Sequence, residues 1–442
     1  MMKMKRHIMF LVIIIIASSC KPKKVEVPAT LGDIDVTSTV AIGGNSFAGY
    51  SDDALHLEGQ EYSIPSIILD RMEESNQFNP FTLPYLSSSS NGINLNGDSK
   101  LILGYKTDCN NETSLSPIRK AVSGNVDDLN NWVYGTDGPF FNLSIPNLKF
   151  QELNDVGLGN PANGIGNYNP WFSRIASDQA NSSILSDAVA LNPTFLFLSI
   201  GQDDITDFAK SGTTGTALPS SVDFFNDLQE VATAFPNTQG VISIIPNVLL
   251  TPYFNTIPYN GLTLEADQAV TINNVFNPIG ISFNVGDNGF LIEDLSEPFG
   301  VRKMVEGELV LLSIPLDSVK CFGMGSIVPI PDRYILTLDE ITALNQTLFQ
   351  YNNEISSYAA TYNYALVDAT AIYLSLQSGI VYNGVSISTE FVSGGAFSMD
   401  GLNLNPIGNA LFANQYIKAI NDKYNARIPL APVTNYPGVY FP

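Results

Sequence analysis

Apolar residues in this chain gather into a few compact runs, separated by long stretches rich in Gly, Pro, Ser and Asn. Thr39-Val40-Ala41-Ile42 stops at Gly43-Gly44-Asn45-Ser46, and helical spacing follows over residues 62–74. An apolar strand, a glycine turn and a helix form the repeating unit of an α/β sheet. Residues 194–200 and 241–245 are near-continuous apolar runs, the second closed by Pro246. Runs of that kind read as strands buried on both faces, as in a parallel sheet. Helical patterns cover 180–190 and 221–235. Leu336–Tyr362 is predicted as a long amphipathic helix, with Asp339 placed to favour the positive end of its dipole. Ala365–Asp368 is predicted as a strand and residues 407–424 as the last helix. Strand and helix alternate throughout, which predicts one doubly wound α/β domain.

Two stretches break that rhythm. Residues 79–140 are polar and turn-rich, including Ser87 to Ser90, and are predicted to leave the core as an extended excursion. Residues 255–330 alternate apolar and polar positions between turns, as in Gly280-Ile281-Ser282-Phe283-Asn284-Val285. Alternation of period two predicts antiparallel strands, hence a β-rich insertion.

The N-terminal residues have their own pattern. Lys3, Lys5, Arg6 and His7 precede an apolar Ile8–Ile16 that is too short to span a bilayer stably. Ala17-Ser18-Ser19-Cys20 then has the form of a bacterial lipobox. The expected organisation is a signal peptide over 1–19, a lipidated linker over 20–37 starting at Cys20, a domain over 38–424 with the two insertions, and a C-terminal tail over 425–442. Loss of the signal would leave 18 Lys and Arg against 43 Asp and Glu, a net charge near −25. Such a surface repels phosphate backbones and disfavours nucleic acid as a partner. With 45% hydrophobic and 14% charged residues, the chain has ample core. Outside the cytoplasm the two other cysteines, Cys109 and Cys321, are expected to pair; two buried free thiols are the alternative.

Four blocks, in order, resemble the SGNH (GDSL-type) hydrolases. Gly44-Asn45-Ser46-Phe47 stands where that family reads Gly-Asp-Ser-Leu, and Asn142-Leu143-Ser144-Ile145-Pro146-Asn147 where related lipoproteins read Asn-Leu-Gly-Val-Pro-Gly. Gly201-Gln202-Asp203-Asp204 stands against Gly-x-Asn-Asp. Asp400-Gly401-Leu402-Asn403, continuing to Gly408, stands against Asp-Gly-x-His-x-x-x-x-Gly. Ile245-Pro246-Asn247-Val248 is similar to the Ile-Pro-Asp-Val of the same subgroup. The resemblance covers residues 38–75, 140–250 and 335–424. It implies a three-layer flavodoxin-like sandwich with a parallel sheet.

It also implies roles, and this chain departs from most of them. The nucleophile matches at Ser46 and the orienting acid at Asp400. The base position holds Asn403, which takes no proton near neutral pH. The oxyanion amide is replaced by the carboxylate of Asp203, and the oxyanion glycine by Asn147, whose N–H remains but whose Cβ crowds the approach. Beyond the signal, the one histidine is His56, ten residues after Ser46. In a helix that is about 15 Å of rise, so His56 reads as a surface residue. Losing a general base costs roughly a millionfold in a serine protease, and losing one oxyanion donor roughly a hundred- to a thousandfold. A non-catalytic domain is therefore expected, with Ser46 left to cap the helix after its turn. The acidic run Asp203, Asp204, Asp207 suggests a solvated strand end more than a cation site, and Trp132 and Trp171 suggest core packing. No cofactor or metal is called for.

A catalytically empty domain on a lipid anchor suits a binding or accessory subunit. The resemblance points to an outer-membrane lipoprotein of an envelope complex, with an outer-membrane β-barrel (a transporter or the barrel-assembly machinery) as partner. Two alternatives stand beside it: an esterase or acetyl-carbohydrate hydrolase using Ser46, and a glycan- or lipid-binding lipoprotein. The membrane face is left open by Lys21-Pro22-Lys23-Lys24, which does not match the acidic export signals of such lipoproteins.

Overall fold

The protein is described here by a computed structural model covering residues 28–75, 82–212, 215 and 217–442. The expected signal peptide, Cys20 and the linker up to residue 27 lie outside these residues.

The core is a parallel sheet of four strands: β1 (Thr39–Gly43), β4 (Phe195–Ser199), β5 (Gln239–Ser243) and β6 (Ala365–Val367). They lie side by side in that order, all parallel, with Thr39 opposite Phe195, Phe195 opposite Gln239 and Val241 opposite Ala365. A further segment runs along the free edge of β1. The N–H of Ala41 bonds to Phe141 O, and the N–H groups of Leu143 and Ile145 bond to the carbonyls of Ala41 and Gly43. Residues 141–145 thus continue the sheet as an irregular edge.

Side chains alternate across the sheet and are buried on both sides. Val40, Ile42, Leu196, Leu198 and Ile242 face one layer, built largely by α3 (Ile184–Ala190), α5 (Ser221–Ala234) and α7 (Leu338–Thr361). Ala41, Phe195, Phe197, Val241 and Val367 face the other, built by α2 (Ile64–Glu73), α8 (Ala369–Ser378) and α9 (Pro406–Tyr424). Residues 28–37 and the segment after α9 also belong to this second layer, through Leu31, Ile34, Ile428 and Val433.

Capping residues set the helix starts. Ser63 caps α2 with Pro65 in its first turn, Asn405 caps α9, and Thr337 with Glu340 forms a capping box on α7. That box moves the start of α7 two residues past the predicted Leu336, because Ile335–Leu336 pairs with Leu309–Val310 as a short ladder.

The first excursion carries an antiparallel hairpin, β2 (Leu101–Thr107) and β3 (Thr113–Arg119). The second is less β-rich than predicted. It contains short ladders, Leu262–Leu264 with Gly286–Asn288 and Leu291–Glu293 with Val301–Lys303, but also the helix α6 (Ala266–Phe276). Ala269, Ile272 and Phe276 of α6 are buried in a small separate core. Cys109, in the turn of the hairpin, is disulfide-bonded to Cys321, at the end of the helix Leu316–Cys321. The predicted pairing is present, and it ties the two excursions together. Among the described residues no helix is long and apolar enough to cross a membrane.

Candidate functional site

The four sequence blocks converge at the C-terminal ends of the parallel strands, where open α/β sheets place ligands. Ser46 sits in α1 (Asn45–Ala48), one turn of helix directly after β1. Its predicted capping role is not what the structure shows. Gly44 occupies the cap position with no side-chain hydrogen bond, and Ser46 is already the second residue of the turn. Among the described residues its hydroxyl makes no hydrogen bond, and it faces a crevice of about 20 Å³ shared with Ser199, Ser243, Tyr416 and Asn403. That is room for about one water.

Asp400 and Asn403 are together, as predicted. Asp400 accepts hydrogen bonds from the backbone N–H groups of Asp53, Leu402 and Asn403, and from Asn403 Nδ2 at 2.9 Å. This is the arrangement in which an orienting acid would hold a histidine, with an amide in the histidine's place. The Asp53 contact comes from a tight hairpin, Tyr50–Ser51 against Ala54–Leu55. Its two turn residues, Asp52 and Asp53, both have φ of 54°, the geometry of a primed two-residue turn.

The two predicted oxyanion replacements are joined by a residue that sequence reasoning passed over. Asn45 is 7% exposed. Its Oδ1 accepts the N–H of Asn147 at 3.0 Å, and its own N–H donates to Asp203 Oδ2 at 3.2 Å. The one backbone donor that Asn147 retains is therefore already engaged. Asn147 has φ of 58°, a left-handed conformation that asparagine tolerates better than most residues. This backbone is what lets an asparagine stand where the resembling motif has a glycine.

Asp203 is not a solvated strand end. It is 3% exposed and packs on Gly44, where an added Cβ would lie 2.0 Å from its Oδ2. Burial pushes its carboxyl up to about 7, against the opposing pull of Lys149. Near neutral pH it is thus partly protonated, and charge repulsion is a weaker objection to an oxyanion than the sequence suggested. Its position is the stronger one, because Oδ2 is taken by Asn45. Asp204 is also buried and raised to about 6 by burial, and it accepts the N–H of Phe150. Asp207 pairs with Lys149, whose Nζ also donates to the Asp203 carbonyl. Among the described residues no group of three or more His, Cys, Asp or Glu is arranged to hold a metal.

His56 is buried, not superficial as predicted; 4% of it is exposed. It ends the Tyr50–Leu55 hairpin and caps the short helix Leu57–Glu61 by accepting the N–H of Gly59 on Nδ1. Burial holds its pKa well below the usual value, so the ring is neutral and its proton sits on Nε2. Nε2 lies 3.1 Å from Ser51 Oγ and 3.6 Å from Asp52 Oδ2. Ser51, His56 and Asp52 have the composition of a catalytic triad, but Nε2–H donates to Ser51 and has no lone pair to receive its proton. The cluster is structural. Of the two tryptophans, Trp171 is core, as predicted. Trp132 is 44% exposed and donates from Nε1 to the Ala176 carbonyl, so core packing does not hold for it.

The large concavity lies beside Ser46 but does not include it. A cleft of about 700 Å³ is lined by Asn45, Asn147, Asp400 and Asn403 from three of the four blocks, by the β2–β3 hairpin, and by Leu312, Ser313 and Leu316 of the second excursion. The Cys109–Cys321 disulfide joins the two excursions that form its rim.

No family model matches the chain, and no curated protein matches it with significance. Among solved structures it is similar to the crystal structure of a candidate GDSL-like lipase from Parabacteroides merdae. The sequences are 13% identical, the alignment covers 64% of this chain and 72% of that one, and the TM-score is 0.25. A likeness at that level carries no argument about this chain, and the site is read from its own geometry.

Proposed function

We propose that this chain is a non-catalytic protein of SGNH type, which binds at its former active site or surface and does not hydrolyse. The segment 141–145 and strands β1, β4, β5 and β6 lie in the order 2-1-3-4-5, which supports a flavodoxin-like sandwich. The observation that carries the functional reading is Asn45, whose side chain and N–H consume the Asn147 donor and the Asp203 acceptor. With Asn403 standing in the base position and Ser46 facing a one-water crevice, an acyl-transfer step has neither a proton acceptor nor a free oxyanion site. Anchored by lipid on Cys20, the protein serves as an accessory subunit of an envelope complex, with an outer-membrane β-barrel as its partner.

The test is affinity purification of the tagged protein from detergent-solubilised membranes, alongside esterase assays on the same material. A co-purifying barrel, and no hydrolysis of aryl or sugar acetates above a Ser46→Ala control, are the expected results. Hydrolysis that vanishes in Ser46→Ala refutes the non-catalytic reading, and a protein recovered alone refutes the accessory role. The 700 Å³ cleft favours a second reading in which the chain binds a small ligand, with or without a partner protein.

A further inference from the structure

The cleft lining identifies a ligand class. The lining is amphipathic. Leu115, Ile257, Leu312 and Met399 stand beside three asparagines, two aspartates, three cationic side chains and several hydroxyls. A bare hydrocarbon tail would cover the polar groups too, at a cost of roughly 1–3 kcal/mol for each one left unpaired.

Three of these amides keep unused hydrogen-bonding atoms. Asn45 accepts the Asn147 N–H on Oδ1 and so turns Nδ2 outward from that bond; Nδ2 has no partner among the described residues. Asn403 donates Nδ2 to Asp400 and leaves Oδ1 without one. The Asn147 side chain makes no hydrogen bond at all among the described residues, while its backbone is fixed at φ of 58°. The cleft thus presents a free amide donor, a free amide acceptor and a complete amide, all on fixed backbone. Hydroxyls both donate and accept, so a polyol matches that set without leaving an atom unpaired. Tyr50, Tyr253 and Phe391 add ring surface to the walls, suited to the C–H faces of sugar rings. The volume lies within the range of small-molecule sites, ~300–1,000 Å³.

Charge narrows the class. Arg119 is held by Asp53 and Asp98, and Lys106 by Asp317. Lys210, at the end of α4 (Gln202–Ser211), makes no salt bridge or hydrogen bond among the described residues. Of the three cationic side chains in the lining, Lys210 is thus the one left without a carboxylate partner among the described residues.

The geometry points to a short oligosaccharide bearing a carboxylate as the ligand of this cleft, its hydroxyls on Asn45, Asn147 and Asn403 and its carboxylate on Lys210. This rests on the site being non-catalytic, since the ligand is to be held and not turned over.

The test is calorimetric titration of the purified protein with uronic-acid oligosaccharides, matched neutral oligosaccharides and palmitate. The acidic sugars are expected to bind best. Lys210→Met should lower their affinity about fivefold, to that of the neutral sugars, and leave the neutral sugars unchanged. Asn147→Gly, which keeps the left-handed backbone and the N–H to Asn45, should weaken both sugar classes by about three- to tenfold. Silence with every sugar, binding of palmitate alone, or sugar affinities indifferent to both variants overturns the inference. Release of acetate from an acetylated sugar, abolished by Ser46→Ala, would overturn the non-catalytic reading and leave the measured sugar affinities standing. Silence with sugars would leave that reading intact.

Discussion

Asp203→Asn should make this protein more stable at alkaline pH and change little at acid pH. Asp203 is buried, and its carboxyl is raised to about 7 from the 3.8 usual for a free aspartate. A carboxyl raised on folding favours the folded state while protonated; that contribution is complete below the unfolded pKa and is lost as pH rises through the folded one. Between pH 5 and pH 8 the loss from this group works out at roughly 2–3 kcal/mol, since each tenfold difference in proton affinity between the folded and unfolded states is worth about 1.4 kcal/mol. Asparagine cannot ionise, yet it still offers an oxygen to the Asn45 N–H. Asp204, at about 6, and Glu152, at about 7, are raised by burial in the same sense, so the variant keeps part of the wild-type slope. Thermal melts of both proteins at pH 5, 6.5 and 8 would show it. The variant should gain on the wild type by a few degrees between pH 5 and pH 8, with most of that gap opened by pH 7. Parallel curves, or a variant destabilised equally at every pH, would mean that Asp203 is not held as a strained buried acid.

Other perturbations follow from the same geometry. Gly44→Ala should cost about 3 kcal/mol or more in chemical denaturation, because its Cβ would collide with Asp203 Oδ2 at 2.0 Å. Thiol counting on denatured, unreduced protein lacking its signal and Cys20 should find no free thiol; Cys109→Ser with Cys321→Ser should lower stability by up to about 5 kcal/mol, and two thiols in the parent would contradict the pairing. Asn403→His alone should restore no esterase activity, since Asn45 still occupies the Asn147 N–H; measurable turnover in that single variant would show that the oxyanion site is open. His56→Ala should destabilise without any kinetic phenotype, losing the Gly59 cap and a buried ring, by roughly 2–4 kcal/mol.

The parallel strands were legible because burial on both faces writes them as apolar runs. Phe195–Ser199 and Ala365–Val367 lie where the pattern placed them. Helix α6 was missed although Ala269, Ile272 and Phe276 repeat at helical spacing; the asparagines and turn residues around it gave a competing period-two signal. The burial of His56 was not legible, because it depends on the Tyr50–Leu55 hairpin docking against Ser398, Met399 and Asp400, some 350 residues away. The site itself was half readable. Block order located Ser46, Asn147, Asp203, Asp400 and Asn403, but the contacts of Asn45 span 102 and 158 residues of sequence, a distance at which no local pattern operates.

The same contacts bear on why the site has not collapsed. If the site is a former active site, as proposed, it would hold buried polar atoms that once met substrate, and each such atom costs roughly 1–3 kcal/mol if unpaired. Here those roles are closed internally. Asn403 fills the Asp400 carboxylate, Asn45 fills the Asn147 N–H, and Asp203 takes the Asn45 N–H while burial raises it toward neutrality. These residues therefore form a consistent set, each supplying the hydrogen-bond complement that another requires. This predicts coupling where two side chains meet directly, at Asp400 and Asn403. Asp400→Ala and Asn403→Ala should each destabilise by about 1–3 kcal/mol, and the double variant by distinctly less than their sum, because the second truncation removes an atom the first has already orphaned. Additive losses in a double-mutant cycle would mean that the two residues are independent packing positions and that the amide does not complete the carboxylate.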